Sequence, residues 1–159
     1  MSMYLKIPNV NGNVTTKGYE GWSEIGSLQF GVVRPIRQTV GEITNREGGS
    51  PTIRKVELTK QIDKTSNKLL ENSLTGSSLG NLDIHLCTTN QNLTPYVKYT
   101  LSNAIVSEYQ EYVGRDQRPH ERIVISFTAL QKTYVSQNTM GKAESPQITG
   151  YNLETATLA

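Results

Sequence analysis

The chain has 159 residues, one cysteine, and a net charge of +2 from 16 basic and 14 acidic side chains. This length predicts a single domain (residues 1–159) with its own core, and the charge is too balanced to indicate a nucleic-acid-binding protein. The lone Cys87 excludes an internal disulfide framework and fits folding in a reducing compartment. Apolar residues make up only 35% of the chain, which predicts strand faces that meet water or polar partners.

The N-terminal segment "MSMYLKIPNV" lacks the basic and apolar regions of a signal peptide. No stretch approaches the roughly 18 apolar residues of a membrane span. We therefore expect a protein that starts in the cytoplasm, does not insert into membranes, and is exported, if at all, without a cleavable leader.

Alternating polarity predicts strands in the first third of the chain. After an extended segment ending near Pro8 and a turn at Asn11-Gly12, one apolar face is predicted for Leu28, Phe30 and Val32, and one polar face for Ser27, Gln29 and Gly31. Residues 34–52 lack such a period and are rich in glycine and proline. A loop this long is uncommon in a compact domain and usually functional.

The next segment combines a strand and a helix. Val56, Leu58 and Ile62 are predicted to face inward, and Lys55, Glu57, Thr59 and Gln61 outward. The stretch "DKTSNKLLENSLTG" then predicts one short α-helix over about residues 65–75. Asp63, Thr65 and Ser66 are candidate N-caps, and Gly76 is a candidate C-terminal glycine. A helix this short cannot hold alone, so Leu69, Leu70 and Leu74 are expected to dock on a sheet.

Strands resume after the helix. The patterns place Leu82, Ile84 and Leu86 opposite Asp83, His85 and Cys87, and predict one bent strand or two within 95–114. Ile123, Ile125, Phe127 and Ala129 are expected inward; Val124, Ser126, Thr128, Leu130, Lys132 and Tyr134 are expected outward. One more strand is predicted near Ile148–Leu153, followed by a mobile tail over about residues 155–159.

Chemistry-bearing residues are sparse. His85 and Cys87 could form half a metal site, but His120 is the only other histidine and there is no second cysteine, so no metal, cofactor or catalytic residue is predicted. "RDQRPHER" (115–122) mixes basic and acidic residues and favours a solvated turn over a phosphate site. "NREGGSP" lacks the lysine of a phosphate loop. Trp22 could stack a sugar or base, but a core position is the commoner role.

Several segments occur in a characteristic order: "YLKIPNVNGNVTTKGYEGWSEIGSLQFGVVRP", "LTKQIDKTSNKLLENSLTG", "RPHERIVISFTALQKTYV" and "ITGYNLET". In this order they resemble the haemolysin-coregulated proteins (Hcp), the inner-tube subunits of the bacterial type VI secretion system. The resemblance spans Tyr4 to about Thr155.

The resemblance implies a compact antiparallel β-barrel of two sheets with one flanking helix. It further implies six copies in a ring, with rings stacked into a hollow tube inside a contractile sheath and carrying a spike at the tip. Small effector proteins would travel in the lumen, and the tube itself would be secreted by the machine.

Site residues follow from the same resemblance. Strand alternation and the resemblance together aim Ser27 and Gln29 at the lumen. The long loop resembles the family's extended loop, so its tip is expected to contact the next ring through Thr44, Asn45, Arg46, Glu47, Gly48, Gly49 and Ser50.

Two other classes stay open from the residues alone. One is a monomeric β-sandwich that binds carbohydrate through Trp22 and the tyrosines. The other is an enzyme using Cys87, His85 or His120.

Overall fold

A computed structural model describes residues 1–37, 40–41, 48–89 and 93–159 of the chain. Within them lie thirteen strands and one helix. The strands are β1 (Ser2–Lys6), β2 (Ser23–Glu24), β3 (Ser27–Gln29), β4 (Val32–Val33), β5 (Thr52–Ile53), β6 (Val56–Gln61), β7 (Leu82–Thr88), β8 (Thr94–Ser102), β9 (Ile105–Tyr112), β10 (His120–Ser126), β11 (Ala129–Tyr134), β12 (Gln147–Asn152) and β13 (Thr157–Leu158), and the helix is α1 (Ser66–Thr75).

Two antiparallel sheets enclose the core. The larger has the order β13-β12-β11-β8-β7-β1-β2, and the smaller has the order β3-β6-β10-β9. Alternate residues of both sheets meet between them: Leu5, Leu58, Leu82, Ile84, Leu101, Ile123 and Ile125 are each at most 1% exposed. This architecture confirms the prediction of a two-sheet antiparallel β fold with one short helix.

The chain passes between the sheets at sharp corners. Asn103 adopts a positive φ of 51° between β8 and β9, so the 95–114 segment forms two strands that belong to different sheets. Phe127 and Thr128 make the second such corner, between β10 and β11. Leu130, predicted to face outward, is only 8% exposed and joins the core, because the corner shifts the inward phase by one residue.

Helix α1 begins and ends close to its predicted bounds, with Gly76 closing it at φ 70°. Its docking differs from the prediction. Leu69 is fully buried, but Leu70 is 37% and Leu74 78% exposed. The remaining buried positions are taken by Ser66 and Asn72, whose side chain accepts a hydrogen bond from the Val106 N–H at 3.0 Å. The hydrogen bond between Asn72 and β9 therefore helps to dock the helix, a role that the prediction gave to leucine side chains alone.

The long loop begins and ends in a hairpin of its own. Strands β4 and β5 pair only with each other, and an isolated bridge joins Ile36 to Gly48. Val32, predicted to share the buried face of Leu28 and Phe30, is 55% exposed, because β3 ends at Gln29 and Val32 already belongs to the hairpin. We call the described residues of 32–53 the arm.

One further prediction is corrected. Ile62 was expected inward but is 38% exposed, since β6 ends one residue before it. The C-terminal tail, whose predicted mobility stays a prediction, carries β13, which pairs Tyr151 with Leu158 and Asn152 with Thr157.

Candidate functional site

The outward side of the smaller sheet is a continuous polar face. Cross-strand pairing arranges its residues in three rows: Gln29, Glu57, Val124 and Glu108; then Ser27, Thr59, Arg122 and Gln110; then Gln61, His120 and Tyr112. We call these residues the polar face. Ser27 and Gln29 lie on it, both exposed, as their strand phase predicted.

An ion triad crosses the middle of the polar face. Arg122 donates from Nε to Glu57 at 2.5 Å and from Nη1 to Glu108 at 2.9 Å. The Arg122 hydrogen bond holds the pKa of the Glu57 carboxyl below its ordinary value, and the bond to Glu57 raises the pKa of Arg122. Beside the triad, the Ser27 and Thr59 hydroxyls hydrogen-bond each other at 2.6 Å. The face therefore presents ionised and hydroxyl groups already paired among themselves.

Behind the polar face, Lys60, Asp63, Ser66 and Glu121 form a buried ion cluster, which we call the ionic joint. The Lys60 and Glu121 side chains are both fully buried and paired with each other. The Lys60 ammonium also lies 2.8 Å from Asp63 Oδ1 and 3.3 Å from Ser66 Oγ. The sequence reasoning passed over Lys60, although its alternation with Val56 and Leu58 placed it on the inward face.

The ionic joint ties the start of the helix to both central strands. Asp63 Oδ1 accepts hydrogen bonds from the Thr65 N–H at 2.9 Å and from the Thr65 hydroxyl, and the Ser66 hydroxyl donates to Glu121 at 3.0 Å. Burial raises the pKa of Asp63, but the Lys60 and Thr65 hydrogen bonds lower it by more, so it lies below its ordinary value. The fully buried Lys60 and Glu121 thus compensate each other inside the protein, whereas the Asp63 side chain is 10% exposed.

The arm projects from the end of the sheet where β3 leaves and β6 begins. Arg34 Nε donates to the Gly49 carbonyl at 3.0 Å and Gly49 N–H to the Pro35 carbonyl at 2.9 Å. A Cβ on Gly49 would lie 2.8 Å from Pro35 Cγ, so only glycine fits this close approach. Of the predicted ring-contact residues, Gly48, Gly49 and Ser50 are exposed here; Thr44, Asn45, Arg46 and Glu47 lie outside the described residues.

An open cleft of about 860 Å³ lies at the other end of the smaller sheet. We call it the end cleft. Its lining includes Val14, Glu24, Thr59, Lys60, Asp63 and Arg118. The ionic joint forms part of its wall, so the charged residues of the joint also shape this cavity.

Two of the three candidate metal or nucleophile residues, His85 and Cys87, sit in a separate aromatic cluster, whereas His120 lies on the polar face. The Cys87 thiol, fully buried, donates to Tyr19 at 3.1 Å, and the Tyr19 hydroxyl lies 3.1 Å from His85 Nδ1. Burial raises the pKa of Cys87 and, together with the thiol contact, that of Tyr19, while burial lowers the pKa of His85. A protonated, enclosed thiol is poorly suited to nucleophilic attack.

Trp22 belongs to the same cluster. Its ring lies 4.9 Å from that of Tyr19 and 4.7 Å from that of His85. The half-buried indole thus packs against side chains of its own chain. This is the core position expected for Trp22, as opposed to a platform that stacks on a sugar or base. Among the described residues no group of three His, Cys, Asp or Glu side chains is placed to hold a metal ion.

The basic segment 115–122 does not gather its charges into one site. Arg122 is committed to Glu57 and Glu108 on the polar face, whereas Glu121 points inward to the ionic joint. Arg118 lies at the end cleft. Strand alternation splits the cluster between two sides of the sheet.

Comparison with solved structures gives close matches over nearly the whole chain. A type six secretion system protein is 24% identical with a TM-score of 0.92, covering 99% of each chain. Hcp1 from Salmonella typhimurium is 18% identical with a TM-score of 0.81, covering 99% of this chain and 98% of that one. A type VI secretion system effector from Yersinia pestis is 19% identical with a TM-score of 0.76, covering 94% and 98%. These likenesses establish the fold.

Sequence comparison adds the family. No curated protein matches the chain. No helix within the described residues has the length and apolarity to cross a membrane. A family model described as "Type VI secretion system effector, Hcp" matches residues 4–134, which is most of the chain. The chain therefore belongs to the Hcp family of secreted type VI secretion system tube proteins.

Proposed function

We propose that this chain is a structural, non-enzymatic tube subunit that forms six-membered rings, and that the rings stack into a hollow tube whose wall is the polar face. The observation that carries the proposal is this face. One side of the smaller sheet closes the core, while the other carries eleven residues, of which only Val124 is purely apolar. Val124, predicted to face outward, is only 8% exposed. A polar sheet face can also be exposed to bulk water on a monomer, so the proposal of neighbouring subunits rests on the family membership.

The polar face has the chemistry of a passage. Its ionised groups are paired within the triad Glu57–Arg122–Glu108, and Ser27 is paired with Thr59. Because these groups already have partners, the wall would stay hydrated and would bind a passing protein only weakly. We accordingly assign Ser27 and Gln29 to the lumen and small effector proteins to the cargo.

The other partners follow from the tube. Stacking is assigned to the arm, with its tip residues Thr44 to Ser50 reaching the next ring. The outside of the tube would face the contractile sheath and its end would carry the spike. The subunit would assemble in the cytoplasm and leave the cell as part of the expelled tube.

Labelling tests the ring and its polarity together. In negative-stain images of Ser27→Cys protein labelled with small gold particles, we expect six-membered rings with gold in the central hole. Lys68→Cys, on the exposed side of α1, is the matched control and should place gold at the outer rim. A protein that stays monomeric by light scattering at high concentration, or gold at the rim for Ser27→Cys, contradicts the proposal.

A deletion tests the arm. Removing Thr44 to Ser50 should leave rings intact and shorten or abolish stacks, because the described residues of this stretch, Gly48, Gly49 and Ser50, are exposed and outside the core. Sedimentation velocity measures both species. Loss of the folded state after this deletion contradicts the assignment of these residues to a stacking contact.

A further inference from the structure

We infer that residues 11–22 form an acid-sensitive flap over the larger sheet, held closed by Tyr19 on a neutral His85 and released when His85 takes up a proton. We call residues 11–22 the flap. The device belongs to the single chain and goes beyond the proposed function, because it requires no ring.

The flap is closed on itself by its own backbone. The Gly12 N–H donates to the Gly21 carbonyl at 2.8 Å, and the Gly21 N–H donates to the Val14 carbonyl at 2.9 Å. The Val14 N–H donates to the Trp22 carbonyl at 3.0 Å. Strand β2 begins directly after the flap, at Ser23. Because these hydrogen bonds lie within the flap, it can leave the sheet as one unit without breaking them.

Side chains hold the flap on the sheet, with Tyr19 at the centre. The Tyr19 ring stacks on Tyr4 of β1, with the ring centroids 4.5 Å apart. The Tyr19 hydroxyl lies 3.1 Å from His85 Nδ1 and accepts from the Cys87 thiol at 3.1 Å. Since the thiol proton points to this hydroxyl, the hydroxyl's own proton is directed to Nδ1, which accepts it only when the imidazole is neutral. Trp22 adds a ring contact to His85 at 4.7 Å. The closed flap therefore fits the neutral imidazole.

The charges around His85 do not compensate a proton on it. Lys98 lies directly across from His85 on β8. Asp83, two residues earlier on β7, already accepts a hydrogen bond from the Thr100 hydroxyl at 3.0 Å. Burial and the Lys98 ammonium lower the pKa of His85, and the Asp83 carboxylate offsets only part of this. The other titratable groups beside His85 supply no counter-charge in acid: Tyr4, Tyr19 and Cys87.

The sign of the effect follows from the two states of the flap. With the flap open, His85 is hydrated and titrates near its ordinary pKa of about 6.5. With the flap closed, the pKa of His85 is lower, so the open state binds the proton more tightly. The stability of the closed state is therefore fully present above about pH 6.5 and weakens as the pH falls toward the lower pKa of the closed state.

Opening the flap also changes the end cleft. Val14 packs against the cluster of Tyr4, Tyr19 and Cys87 and lines the end cleft as well. Three further flap residues contribute to the same lining: Asn13, Thr15 and Thr16. Release of the flap removes this wall, so uptake of one proton on the larger sheet reshapes a cavity that opens beside the smaller sheet.

Thiol reactivity tests the inference, because Cys87 is the only cysteine and is fully buried beside Tyr19. Its rate of reaction with 4,4′-dithiodipyridine is measured between about pH 7.5 and about pH 5 for the wild type and for His85→Asn, whose amide oxygen accepts a hydrogen bond but takes up no proton. Dividing the two rates removes the loss of thiolate that acid causes in both proteins. The ratio of wild type to variant should rise about threefold or more on acidification. His120→Gln, which removes the other histidine, is the matched control and should respond like the wild type.

A second measurement uses the wild type alone, so it does not depend on the folding of a variant. Trp22 is the only tryptophan, and acrylamide quenching of its emission should increase over the same pH interval while far-UV circular dichroism stays constant. Quenching or a rate ratio that does not change with pH overturns the inference. Loss of circular dichroism in parallel with the two signals means global unfolding and also overturns it. A pH response that disappears in His120→Gln assigns the proton to the wrong histidine and has the same result.

Discussion

Strands β6 and β10 carry two ion clusters on opposite sides of one sheet. The ionic joint lies inside, with Lys60 and Glu121 fully buried. The triad lies outside, with the side chains of Glu57, Arg122 and Glu108 between 34% and 56% exposed. Consecutive residues, Glu121 and Arg122, point to opposite clusters.

The difference shows that similar ion pairs have different consequences on the two sides. In the joint, removing Lys60 leaves the Glu121 carboxylate fully buried with hydrogen bonds from Ser66 and Tyr109 but without a cation. In the triad, water replaces whatever is lost, and side-chain ordering offsets much of the attraction. The ionic joint therefore contributes to the stability of the fold, whereas the triad determines the charge and polarity of the surface. Four predictions test this contrast.

The largest effect is expected for Lys60→Met. The substitution keeps an unbranched apolar stem but leaves the Glu121 carboxylate buried without a cation, and should cost about 3–5 kcal/mol of unfolding free energy. Urea denaturation at neutral pH measures this loss. A cost no greater than that of an average surface substitution means that the joint does not hold the helix to the sheet.

A compensating variant sharpens the first prediction. Lys60→Met/Glu121→Leu removes both buried charges, so it should be more stable than either single variant in the same urea titration. Tyr109, whose hydroxyl contacts both Glu121 and Glu111, keeps the second of these partners. Purely additive losses in the double variant contradict the view that the unpaired charge, and not the lost packing, is the main penalty.

A smaller effect is expected for Asp63→Asn, about 1–3 kcal/mol, because a carboxylate that accepts several hydrogen bonds is replaced by a neutral amide. The pKa of Asp63 is lowered in the folded protein, so its contribution is present above the unfolded pKa of about 4 and is lost as the pH falls through the folded value. Stability of the wild type should thus decline more steeply below about pH 4 than that of the variant. Thermal unfolding between neutral and acid pH makes the comparison, and parallel curves contradict it.

The smallest effect is expected for Arg122→Gln, on the exposed side. Its unfolding transition should remain close to that of the wild type, and adding salt should shrink even that difference. The Arg122→Gln substitution also leaves Glu57 and Glu108 on the polar face without their cation. Ring assembly of this variant therefore tests whether the triad matters to the polar face. A stability loss as large as that of Lys60→Met contradicts the comparison on which these predictions rest.

Sequence patterns identified most of the elements and failed at particular residues for physical reasons. Period-two alternation located the strands containing Leu58, Leu82 and Ile123 because each strand has one buried face. It did not locate Lys60, since a lysine in the inward phase is acceptable only when carboxylates from other segments reach it. Glu121 lies 61 residues further along the chain, and nothing local signals that pairing.

The helix illustrates the complementary error. Helical spacing identified its bounds, and Gly76 its end, but hydrophobicity wrongly assigned Leu74 to the interface, although it is 78% exposed. Asn72 occupies a contact instead, because its amide accepts from the Val106 N–H and donates to Ser77. Such a side-chain bond to the backbone depends on the angle at which α1 meets β9. The rows of the polar face could not be predicted either, because they depend on the pairing register between neighbouring strands, and alternation along one strand does not define that register.

The enclosed thiol of Cys87 has a consequence for a protein that travels between compartments. Its sulfur is fully buried and donates to Tyr19, and burial keeps its pKa raised. Oxidants outside the cell act on accessible thiolates. In the proposed tube, moving from a reducing to an oxidising medium would therefore give Cys87 no route to a disulfide between neighbouring subunits.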